Sequence, residues 1–90
     1  MFQVIWKPTA VDELTALWIK SDSATRSAVT RDIHAVESSL SKSPMDQGES
    51  RDSNRRVLFE GVLSLFFSVD IRSNQVTVLS VKLNRSLGKS

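Results

Sequence analysis

Hydrophobic positions change period along this chain, and each change marks an element. Phe2 to Trp6 is short, aromatic and β-branched, with Pro8 close behind, which predicts a strand over about residues 2–6. Ala10, Val11, Leu14, Leu17 and Trp18 then fall at i, i+1, i+4, i+7 and i+8, one face of an amphipathic helix over about 8–20. Pro8 suits its first turn, and Asp12 and Glu13 lie near the positive end of its dipole. Lys20 to Ser23 interrupts the pattern, with Asp22 or Ser23 as a cap. Val29, Ile33, Val36 and Leu40 give a second stripe, for a helix over about 23–42 that Pro44 ends. The short link makes the two helices an antiparallel hairpin.

Residues 43–54 hold a Pro and a Gly and almost no apolar side chains, so they read as a polar loop. Three strands follow, over about 55–60, 62–72 and 75–83, joined by turns at Glu60-Gly61 and Ser73-Asn74. Leu63, Leu65, Phe67 and Val69 alternate with Ser64, Phe66 and Ser68, so one face can meet the helices while the other stays uncovered. The expected fold class is α+β: strand, helix, helix, three-strand meander, with the helical hairpin on one face of a mostly antiparallel sheet. A chain of 90 residues is expected to form one domain across 1–90.

Composition narrows the chemistry. There is no cysteine, which excludes disulfides and thiolate metal sites. The N-terminus lacks a basic segment before an apolar run, and Val62–Phe67 is too short to span a bilayer. A cytoplasmic protein with no membrane partner is expected. The net charge of +2 is unevenly placed: residues 1–50 carry five Lys/Arg against seven Asp/Glu, and residues 51–90 carry seven against three. A basic second half points to a polyanion or an acidic protein.

No side chain stands out as a nucleophile or general base. His34, the single histidine, sits off the apolar stripe with no second ligand spaced for it, so no metal or cofactor is expected. Trp6 and Trp18 occupy apolar positions and read as core. Arg51, Arg55 and Arg56, leading into the second strand, and Lys82 and Arg85, around the end of the last, are the candidate phosphate contacts. Phe66, on the uncovered face, is the candidate partner contact.

Three segments carry a family resemblance. Val4-Ile5-Trp6-Lys7-Pro8-Thr9-Ala10-Val11-Asp12-Glu13-Leu14 resembles the opening of RelE/ParE-family toxins. The stretch from Arg55-Arg56-Val57-Leu58-Phe59 to Phe67-Ser68-Val69-Asp70 resembles their central hairpin, and Val76-Thr77-Val78-Leu79-Ser80-Val81 their following strand. The resemblance covers about residues 2–83. It implies the toxin of a type II toxin–antitoxin module, of the plasmid-stabilisation kind, with a cognate antitoxin as partner.

RelE-like members cleave mRNA on the ribosome as mRNA interferases. ParE-like members instead poison DNA gyrase. The family's central-strand arginine falls at Ser64, its frequent tyrosine at Phe67, and the chain contains no tyrosine at all. A hydroxyl cannot make a guanidinium's bidentate phosphate contact. An endoribonuclease, a ParE-like inhibitor and a catalytically inactive relative all remain open at this point.

Overall fold

The computed structural model describes residues 1–51 and 54–84. Strand β1 (Gln3–Trp6) leads into helix α1 (Pro8–Lys20) and helix α2 (Ser23–Lys42). A short 3-10 turn, Pro44–Asp46, precedes strands β2 (Glu49–Ser50), β3 (Arg55–Glu60), β4 (Leu63–Asp70) and β5 (Gln75–Leu83). They form one sheet in the order β1-β5-β4-β3-β2. All neighbours are antiparallel except β1 and β5, which pair parallel with Val4 beside Val76 and Trp6 beside Val78. The two helices and strands β2–β4 lie between them in sequence, a connection long enough for a parallel pair.

Both helices begin for local reasons. Pro8 occupies the first turn of α1, where its missing amide has no partner to lose. Asp22 caps α2, its Oδ1 accepting the Thr25 amide at 2.8 Å, and that hydrogen bond holds the carboxyl below its ordinary pKa. Arg26 ties the hairpin together. Its Nε donates 2.9 Å to the Trp18 carbonyl, which also accepts the Ser21 amide, and its Nη2 donates 3.3 Å to that of Ile19, both in the last turn of α1.

The core lies between the helices and one sheet face. Leu63, Leu65, Phe67 and Val69 of β4 and Val76, Val78 and Val81 of β5 are buried with Val29, Val36 and Leu40 of α2. Leu14 and Ile33 pack against the same cluster. A bulge between Phe66 and Phe67 in the β4–β5 register sets Phe66 opposite Ser80 and Phe67 opposite Val78. The extra residue, Leu79, lets Val76, Val78 and Val81 all reach the core side despite their uneven spacing.

Several expectations need correction. The polar loop contains β2, so the meander gains a fourth, two-residue strand, which no hydrophobic alternation announces because both its residues are exposed. Its entry depends on Gly48 (φ 66°), where an added Cβ would lie 2.8 Å from the Val57 carbonyl carbon. The long strand runs Leu63–Asp70 and not 62–72: Val62 belongs to the preceding turn, and residues 71–74 form the following one, with Asn74 at φ 55°. Trp18 is not core. It is 38% exposed and lies under the Arg26 guanidinium, 5.5 Å from ring centroid to carbon. Trp6 does pack against the core, with its indole N–H donating to Glu37 Oε2 at 2.9 Å. No helix among the described residues is long and apolar enough to cross a membrane.

Candidate functional site

The sheet face turned away from the helices is built from three cross-strand rows. Strand register puts Arg55, Ser68 and Thr77 in one row, Val57, Phe66 and Ser80 in the next, and Phe59, Ser64 and Lys82 in the third. Side chains directly opposite in such rows stand about 5 Å apart. Phe59 is 59% exposed and Phe66 40% exposed, whereas Val57 beside them is buried. The centre of this face is therefore apolar, with Arg55 toward one end and Lys82 toward the other.

The sequence candidates do not converge. Arg55 and Lys82 lie two strands and four residues apart, roughly 16 Å by sheet spacing. Arg56 pairs with Phe67, so it projects to the opposite face. There its Nε donates to the Gln47 carbonyl at 2.9 Å and its Nη2 to the Gly48 carbonyl at 3.2 Å. That guanidinium holds the approach to β2 in place. Arg51 is exposed beside β2, and its amide donates to the Arg55 carbonyl at 2.8 Å. Arg85 lies outside the described residues.

Lys82 is already partnered. Its Nζ lies 3.2 Å from Glu13 Oε2, while Glu13 Oε1 accepts the Val81 amide at 3.0 Å and the Ser80 hydroxyl at 2.9 Å. The Val81 amide holds the Glu13 carboxyl below its ordinary pKa; desolvation opposes this, and Ser80 and Lys82 add to the lowering. Glu13 thus does not serve the α1 dipole, and no acid stands in that helix's first turn. It instead covers the β5 edge beyond Val78, where β1 has ended.

Other candidates fall as chemistry requires. Ser64 sits between Phe59 and Lys82, a hydroxyl where a phosphate site would need a cation. His34 is exposed on α2. Among the described residues no three His, Cys, Asp or Glu side chains gather to hold a metal ion. Sequence reasoning passed over Phe59 and Asp32. Phe59 shares the parity of Val57 in a strand whose other face is core. Asp32 interrupts the apolar stripe of α2, three residues after Val29 and four before Val36, and is 3% exposed.

Solved structures supply the comparison. A chain of the RelBE2 toxin–antitoxin complex from Mycobacterium tuberculosis superposes with a TM-score of 0.71 at 20% identity, over 91% of this chain and 90% of that one. The chain has the RelE/ParE fold. A chain of the chromosomal ParDE system of P. aeruginosa gives a TM-score of 0.68 at 18% identity, covering 92% of this chain and 96% of that one. The archaeal RelE–RelB complex of Pyrococcus horikoshii OT3 gives 0.61 at 14% identity over 92% and 94%. No protein-family model matches the sequence, and no curated protein matches it.

Proposed function

We propose that this chain is the toxin-type component of a type II toxin–antitoxin module, and that it acts by binding a protein target and not by cutting RNA. The observation that carries this reading is the patch made by Phe59 and Phe66, two aromatic rings left in solvent at the centre of a sheet face. Aromatic side chains dominate the energetics of protein interfaces, and exposed clusters of them mark binding surfaces. Arg55 at one end adds a charge suited to an acidic antitoxin segment.

RNA cleavage by attack of the ribose 2′-hydroxyl needs cations around the phosphorane and a group to protonate the leaving oxygen. Against that requirement stand Ser64 beside Lys82 on the free face, Arg56 bound to loop carbonyls on the other face, and Lys82 bound to Glu13. DNA gyrase is the protein target that the ParE likeness suggests, and the product of an adjacent open reading frame is the natural antitoxin.

Induction of the chain alone should arrest growth, and co-expression of the adjacent reading frame should restore it and co-purify as a complex. Incubation with programmed ribosomes should leave mRNA intact, while gyrase–DNA cleavage complexes should accumulate. mRNA cut in the ribosomal A site would replace the inhibitor by a nuclease. Absence of both growth arrest and a co-purifying partner would remove the toxin reading altogether.

A further inference from the structure

We infer that Glu13 is an internal counter-anion that withholds the Lys82 ammonium from phosphate, and so makes the β5 end of the free face unreceptive to nucleic acid. The inference goes beyond the proposed function, since it concerns the affinity of this surface for polyanions whatever the protein's target is.

The geometry has two parts. Ser80 and Lys82 share a parity on β5, and both side chains meet the same carboxylate, which reaches the strand from α1. An ion pair between exposed side chains is ordinarily loose, because two mobile chains lose entropy to hold one geometry. Here the carboxylate is fixed independently of the lysine. The Val81 amide and the Ser80 hydroxyl both donate to Oε1, leaving Oε2 aimed at Nζ. Glu13 therefore cannot swing away without leaving a strand-edge amide without its partner.

The electrostatic result is neutralisation. Opposite unit charges 3.2 Å apart leave only a dipole field, which falls off with distance faster than that of a lone ammonium. A phosphate approaching the remaining donors of Lys82 therefore meets the repulsion of an anchored carboxylate beside them. Lys82 adds to the chain's formal charge, but the Glu13 carboxylate offsets its pull on a distant polyanion.

The test is fluorescence anisotropy with a labelled single-stranded oligouridylate, across a salt series. In Glu13→Gln the amide oxygen still accepts from Val81 and Ser80, but Lys82 is released. Gain of one phosphate contact should tighten binding several-fold at about 50 mM salt and steepen the log–log salt slope by about 0.7. Asp12→Asn makes the same charge change at an exposed neighbour on α1 and should produce a smaller gain without the change in slope. Adding Lys82→Met to Glu13→Gln should abolish the gain.

Lys82→Met alone should lower oligouridylate affinity only by the small amount expected of a unit charge change and leave the log–log salt slope unchanged, because no phosphate contact is lost. The inference is overturned if Lys82→Met flattens the salt slope by about 0.7 in the otherwise unaltered protein, if Glu13→Gln binds no tighter than Asp12→Asn, or if the gain survives Lys82→Met. None of these outcomes depends on an antitoxin or on growth arrest, so failure here and failure of the toxin reading are separately visible.

Discussion

The carboxylate of Asp32, buried in the middle of α2, accepts the amide of Val62 at 2.9 Å across a separation of 30 residues. The turn between β3 and β4 is thereby seated on the helix. Gly61, the residue before Val62, has φ 56°, and a Cβ added there would lie 2.6 Å from Asp32 Cγ. One acid and one glycine fix the height at which the hairpin meets the helical layer. The second Asp32 oxygen faces the Arg31 guanidinium at 3.1 Å, so both are matched.

Loss of this seat should be costly and coupled. Asp32→Ala leaves the Val62 amide without its acceptor in a partly buried setting, for a loss of about 1–2 kcal/mol. Gly61→Ala meets both the positive φ and the carboxylate, and should cost at least as much, about 2–3 kcal/mol. In the double variant the collision with the carboxylate is gone, so urea denaturation should show a combined loss smaller than the sum. Strict additivity would mean that the two residues do not meet.

Glu13 should make stability pH-dependent in the acid range. Its folded pKa lies below the ordinary value of 4.5, so the folded state binds this proton less readily than the unfolded chain. Its contribution is therefore present in full above that ordinary value and is lost as pH falls through the folded pKa. Thermal melts of the wild type and Glu13→Gln should converge as pH drops from 6 to about 3, because protonation removes what the substitution removes. Parallel curves would contradict this.

Arg56 should matter to the β2 region and not to anion binding. Arg56→Ala removes two hydrogen bonds to the carbonyls of Gln47 and Gly48. Hydrogen exchange at residues 47–50 should rise several-fold with global stability reduced by about 1–2 kcal/mol. Oligouridylate affinity should stay unchanged, and a marked drop would return Arg56 to the list of phosphate ligands.

Phe59 and Phe66 should separate binding from stability. Each is substantially exposed, so Phe59→Ser and Phe66→Ser should alter unfolding free energy by no more than about 1 kcal/mol. Loss of a central interface aromatic typically costs 2 kcal/mol or more, so affinity for the antitoxin should fall about thirtyfold or further in calorimetric titration. Unchanged affinity would move the interface elsewhere.

Much of this architecture can be read from local pattern. Helix stripes repeat every three or four residues and strand faces every two, so Val29, Val36, Leu40, Leu63, Leu65 and Phe67 declare themselves core wherever the elements end up. The same alternation predicts Phe66 on the uncovered face. It does not reveal β2, whose two residues are both exposed, nor the 38% exposure of Trp18, which occupies an apolar position in the α1 stripe.

What the sequence by itself determined was the set of elements and the face each one buries, because those depend on spacing within a single segment. Only the tertiary structure decided what each charge is for. Glu13 meets Val81 across 68 residues, Asp32 meets Val62 across 30, and Arg56 turns from phosphate candidate to loop clamp. Such contacts join segments with no common period, and a charged side chain takes whichever partner the packed backbone brings within about 3 Å.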